Sequence, residues 1–102
     1  LPESCKTINS FAFSKCDVLE NINLKDVNAI MNNAFDGCES LTCEDLGGVE
    51  LSEVYAIGDY AFSDCSNLSS ATFEGAAPST FGNTVFANVA SDFKIYYYSD
   101  MV

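Results

Sequence analysis

The sequence predicts an α/β-type repeat solenoid of about four stacked coils, built mostly from short parallel β-strands joined by turns or short helices. Three observations carry this. The phrase Ile-x-x-x-Ala-Phe-x-x-Cys-x-x-Leu is written three times: Ile8, Ala12, Phe13, Cys16, Leu19; then Ile30, Ala34, Phe35, Cys38, Leu41; then Ile57, Ala61, Phe62, Cys65, Leu68. The spacing is 22 from Ile8 to Ile30 and 27 from Ile30 to Ile57, so the second unit carries five extra residues. A fourth copy is degraded but legible from Phe81 to Val89, with Val85 for Ala, Val89 for Cys and Phe86 kept. Units this short hold too few apolar groups to enclose a core alone, so neighbours must stack.

The chain reads as a single domain, residues 1–102, with repeats at about 5–24, 27–46, 54–73 and 78–98, the last a degenerate C-terminal cap. Leu1-Pro2-Glu3-Ser4 reads as the tail of a strand whose own repeat lies upstream, so the chain is expected to be the end of a longer array with its first coil exposed. Within each repeat, an apolar residue three positions before the Ile (Cys5, Val27, Val54) marks one short extended segment. Ala-Phe then sits in a compact turn with small polar residues after it. Beyond the Leu, Ile22 and Leu24 fall on one face of a second short strand, because side chains alternate along a strand. Equal spacing puts Glu44 and Leu46, then Ala71 and Phe73, in the same slots. Glu44 breaks the pattern: either the strand slips there, or Cys43 turns inward in its place. The five extra residues are expected within residues 44–53, where Gly47-Gly48 permits a loop. Equal positions should form ladders: Phe13, Phe35, Phe62 and Phe86 an aromatic column, Leu19, Leu41 and Leu68 an aliphatic one. At the end, residues 92–98 leave the repeat and read as a capping strand, which protects an exposed edge.

Composition narrows the function classes. Apolar residues make up 48% of the chain, with eight Phe and five Tyr, enough for a core. There are 15 acidic residues against four basic ones, Lys6, Lys15, Lys25 and Lys94, and no Arg. Polyanion binding runs on Lys and Arg, so nucleic acid and anionic membranes are not expected partners. A net charge of −11 reads first as solubility. No run approaches the roughly 20 apolar residues of a membrane-spanning helix, and no membrane insertion is expected. Histidine is absent, which removes His-based acid–base and nucleophile systems and the commonest transition-metal ligand. No cofactor and no metal are expected.

Five cysteines, Cys5, Cys16, Cys38, Cys43 and Cys65, leave at least one thiol unpaired. None are spaced Cys-x-x-Cys, so a zinc knuckle or thioredoxin-type site is unsupported. Cys16, Cys38 and Cys65 recur at one repeat position and read as reduced, packed, structural thiols. Val89 at the fourth position agrees, since Val replaces a packed thiol but not a ligand. Cys43 is the candidate exposed thiol, and Glu44 and Asp45 beside it would oppose a reactive thiolate.

The stretch Ile57-Gly58-Asp59-Tyr60-Ala61-Phe62-Ser63-Asp64-Cys65-Ser66-Asn67-Leu68 resembles the BspA-like leucine-rich repeat family. The period of 22, the Leu-Pro-Glu-Ser opening and the ending from Phe73 to Tyr97 resemble it too, the ending being similar to the last coil of such arrays. The resemblance implies a right-handed leucine-rich repeat solenoid from a secreted or cell-surface protein, often bacterial. It implies adhesion, host-protein binding or co-aggregation, and no shared catalytic residues.

Three functions compete. The first is a non-catalytic module for protein–protein interaction or adhesion to host or neighbouring cells. A solenoid presents one side chain per strand position across a continuous face. The outward positions Asn21, Asn23, Cys43, Asp45, Ser70 and Thr72 are its candidates, though as plain solvated residues they would need no explanation. The partner would be an extracellular or host protein, or a second copy at the exposed first coil. The second is a structural spacer or stalk carrying another domain. The third is an enzyme: Glu44, Asp45, Glu50 and Glu53 are close enough in sequence for a carboxylate pair or a calcium site. A charged loop on an acidic protein is the simpler account, and the Asp-x-Asp-x-Asp-Gly spacing is missing. No catalytic residue is assigned.

Overall fold

Among the residues described in the computed structural model (4–43, 49–74 and 80–98, without the side chains of Glu74, Thr80, Tyr97 and Tyr98), seven short strands alternate with turns. In chain order they are β1 (Thr7–Ile8), β2 (Ala29–Ile30), β3 (Val49–Glu50), β4 (Ala56–Ile57), β5 (Ser70–Glu74), β6 (Thr80–Phe81) and β7 (Lys94–Tyr98). They form two parallel sheets, ordered β1-β2-β4-β6 and β3-β5-β7. Equivalent residues pair, Ile8 with Ile30, Ile30 with Ile57 and Ile57 with Phe81. The first sheet therefore takes one strand from each repeat and the second takes one from each repeat after the first, with the repeats side by side in register.

The connection between the sheets decides between the two alternatives, turns or short helices, in favour of turns. No short helix forms among the described residues. The reason is periodic: each turn holds two left-handed residues, Phe11 and Lys15, Asn33 and Gly37, Tyr60 and Asp64, Thr84 and Asn88. A reversal of hand four residues apart stops any right-handed helix from propagating. The N–H groups then split. Those of Ala12, Ser14 and Cys16 close local turns onto Asn9, Phe11 and Phe13, while those of Phe11, Phe13 and Lys15 cross to the carbonyls of Asn32, Ala34 and Asp36. The same crossing ties Asn33, Phe35 and Gly37 to the third repeat, and Tyr60, Phe62 and Asp64 to the fourth. An Asx ladder runs beside it: Asn32 Oδ1 accepts the Asp59 N–H at 2.8 Å, and Asp59 Oδ1 the Asn83 N–H at 2.8 Å. It brings the chains so close that a Cβ on Gly58 would lie 2.5 Å from the Asn32 nitrogen.

The second sheet corrects the slots of the second repeat. Val49 pairs with Ala71 and Glu50 with Thr72. Val49 and Leu51 are fully buried, so they fill the slots expected for Glu44 and Leu46, and the apolar pattern is unbroken. Glu44, Asp45 and Leu46 lie outside the described residues, as do Leu1-Pro2-Glu3. Of the two expectations for Cys43, the inward turn holds and the exposed thiol is corrected: the residue is fully buried. The N–H groups of Thr42 and Cys43 both bond to Glu20 O, and the Cys43 thiol donates to Ile22 O at 3.6 Å, which draws the side chain beneath the first repeat.

The core lies between the sheets and the turns. Phe13, Phe35, Phe62 and Phe86 stack in one column, with centroids 5.2, 5.0 and 5.5 Å apart and planes within 13°. Leu24, Ile30, Leu41, Leu51, Ile57 and Leu68 are buried around it, each contributing about 1.5–3 kcal/mol of transfer free energy. The outer repeats close less fully: Phe13, Cys16, Leu19 and Ile22 at one end, and Phe86, Val89 and Phe93 at the other, are only half-buried. Among the described residues no helix is long and apolar enough to cross a membrane.

Candidate functional site

The outward side of the β3-β5-β7 sheet gathers polar side chains in rows. Val49 on β3 and Ala71 and Phe73 on β5 point to the core and are buried, so strand alternation turns Glu50, Ser70 and Thr72 outward. Pairing of Thr72 with Tyr96 and of Ser70 with Lys94 extends the rows onto β7. One row is Glu50–Thr72–Tyr96, with about 4.8 Å between neighbours; the other holds Ser70 and Lys94. Tyr96 is 45% exposed and gives the face its aromatic surface. A carboxylate, a hydroxyl, a phenol and an ammonium group are thus held on three hydrogen-bonded strands. Rigid strands of this kind hold contact groups more exactly than loops do.

The residues singled out from the sequence fall in different places. Ser70 and Thr72 stand next to each other on β5 and are half-buried. Asn21 and Asn23 are exposed on the extended segment of the first repeat, which lies outside this sheet. Asn23 Oδ1 accepts the Lys25 N–H at 3.1 Å, so that side chain folds onto its own backbone. Cys43 is buried and leaves the face, and Asp45 lies outside the described residues. Sequence reasoning missed Glu50, Lys94 and Tyr96 as members of the rows. A signal for Glu50 was present: Val49-x-Leu51-x-x-Val54 copies Ile22-x-Leu24-x-x-Val27.

A second concavity crosses the turns. This shallow groove, about 430 Å³, is lined by Lys15 and by the carboxylates of Asp17, Asp36, Glu39 and Asp64. Two of these are held in place, Asp36 by Asn33 Nδ2 at 2.9 Å and Asp64 by Asn88 Nδ2 at 2.7 Å. Among the described residues no three acidic or thiol groups are placed to hold a metal ion. Of the acidic cluster considered for catalysis or calcium, Glu50 is half-buried on β3 and Glu53 is exposed; Glu44 lies outside the described residues.

The thiols are all free. Cys38 donates to Phe13 O at 3.0 Å and Cys65 to Phe35 O at 3.1 Å, each reaching back one repeat. Burial pushes the Cys43 thiol up. Its hydrogen bond to Cys38, together with burial, pushes the Cys65 thiol up. The same hydrogen bond holds Cys38 below the usual thiol range.

No curated protein and no solved structure matches this chain. A family model described as "BspA type Leucine rich repeat region (6 copies)" matches residues 1–101, and the parallel, in-register strands and short repeats agree with it. The chain belongs to the BspA-type leucine-rich repeat family.

Proposed function

We propose that this chain is a non-catalytic interaction module, a right-handed solenoid of about four coils on a secreted or cell-surface protein, that binds an extracellular or host protein in adhesion. Leucine-rich repeats generally mediate protein–protein interaction, and the BspA type is typically surface-associated. The observation that supports this reading best is the row Glu50–Thr72–Tyr96. It gives a rigid, mixed-polarity face with an exposed Tyr, a residue type enriched where binding energy concentrates.

The test is binding of the chain to an immobilised basement-membrane extract, compared with a Glu50→Ala, Thr72→Ala, Tyr96→Ala triple variant. Loss of about 2 kcal/mol at such a centre weakens binding roughly 30-fold. Unchanged binding by the folded triple variant removes this face. An unaltered chain that captures nothing from matrix or from cell surfaces leaves the spacer or stalk as the better account.

A further inference from the structure

Cys16, Cys38 and Cys65 hold the same turn position in adjoining repeats. Phe13 N–H to Ala34 O at 2.8 Å and Lys15 N–H to Asp36 O at 2.6 Å lock the first two turns together around this position. One oxygen joins the first two cysteines: Phe13 O accepts the Cys16 N–H at 3.1 Å and the Cys38 thiol at 3.0 Å. Rungs paired this way place equivalent Cα atoms about 4.8 Å apart, inside the roughly 4.4–6.8 Å that a disulfide spans. The three thiols differ in access. Cys16 is half-buried at the edge of the row, whereas Cys38 and Cys65 are buried.

We propose that Cys16 and Cys38 are a redox-sensitive pair that closes into a disulfide between the first and second repeats, with Cys16 as the entry thiol and Cys38 as the resolving thiol. The oxidant is a low-molecular-weight disulfide such as glutathione disulfide. The Cys16 thiolate attacks one of its sulfurs; that S–S bond breaks, a Cys16–glutathione disulfide forms, and the first glutathione leaves as thiolate and takes a proton. Cys38 gives its proton to solvent and attacks the Cys16 sulfur; the second glutathione leaves and is protonated. Two cysteine thiols lose two electrons and glutathione disulfide gains them. Cys65 continues the row one repeat further, its thiol donating to Phe35 O at 3.1 Å. The fourth repeat has Val89 here, so the row ends at Cys65. The bond closes the stretch between neighbouring repeats and ties them into one unfolding unit.

The experiment incubates the folded 102-residue chain with glutathione disulfide, then maps thiols and disulfides by mass spectrometry of non-reduced peptides. The expected result is loss of two hydrogens, a Cys16–Cys38 link, and a melting temperature raised by several degrees that dithiothreitol restores. A Cys16→Ser chain, altered at a half-buried edge position, should keep Cys38 reduced. A Cys38→Ser chain that folds should stop at the glutathione adduct of Cys16. Five free thiols after long exposure, a stable glutathione adduct on Cys16 of the unaltered chain, or a link between any other pair overturns the proposal.

Discussion

Seven left-handed non-glycine residues and Gly37, two per turn, are retained at the same two positions of every repeat. Asn33, Asp64 and Asn88 tolerate this conformation, but Phe11 at φ 62° and Tyr60 at φ 59° are bulky and do not. Each such residue costs on the order of 1 kcal/mol. The strain persists because the Phe11 and Tyr60 N–H groups are tied to Asn32 O and Asn83 O in the next repeat. Phe11 is 61% exposed, so little packing offsets its cost. Phe11→Gly should therefore hold or raise stability, by up to about 1 kcal/mol. Gly58→Ala should lower it by about 1–3 kcal/mol, since the added methyl meets not only the Asn32 side-chain oxygen but also the backbone of Met31 and Asn32, which cannot swing aside. Thermal unfolding of the two variants checks both signs. A destabilised Phe11→Gly chain would mean that the ring packs usefully.

The strands show which parts of the fold could be read from sequence. The Ala-Phe-x-x-Cys-x-x-Leu phrase is legible because stacked units repeat their packing slots, and family membership follows from it. The second strand of the second repeat was harder to place. An insertion slides the slots, so counting by 22 lands on Glu44 and Leu46, whereas Val49 pairs with Ala71. The same slip hid Glu50, and a spacing of 24 from Thr72 to Tyr96 hid the last member of its row. Ser70 and Thr72 fell outward by simple alternation. Cys43 was ambiguous because its inward turn depends on hydrogen bonds to Glu20 and Ile22, which no periodicity encodes. Aligning Ile22 with Val49 and Asn21 with Cys43 leaves residues 44–48 as the five extra positions. Deleting them makes the spacing uniform. The entropy of a loop changes slowly with length, so the shortened chain should fold with stability within about 1 kcal/mol of the parent. A loss above about 2 kcal/mol, or altered far-ultraviolet dichroism, would show that the segment is part of the packing and not an insertion.

Across the whole molecule, the backbone N–H groups that the Ala-Phe turns donate to one another's carbonyls all point one way. The first repeat donates to the second, the second to the third and the third to the fourth, through Phe11, Phe13 and Lys15, then Asn33, Phe35 and Gly37, then Tyr60, Phe62 and Asp64. Thr84, Phe86 and Asn88 hold the corresponding positions in the fourth repeat, and no later repeat accepts their N–H groups among the described residues. The phenylalanine column repeats the asymmetry: Phe35 and Phe62 are fully buried between two stacked neighbours, while Phe13 and Phe86 are half-buried. Stability in such arrays is a sum of unit and nearest-neighbour contributions, so opening should begin at the ends and cost most in the middle. Amide hydrogen exchange of this chain should show the slowest amides at Phe35, Gly37 and Phe62. Those of Thr84, Phe86 and Asn88 should exchange about tenfold or more faster, the ratio expected when local opening is easier by about 1.4 kcal/mol. Equal protection across all four turns would mean that the molecule opens only as one cooperative unit, and the picture of additive neighbours would be wrong for an array this short.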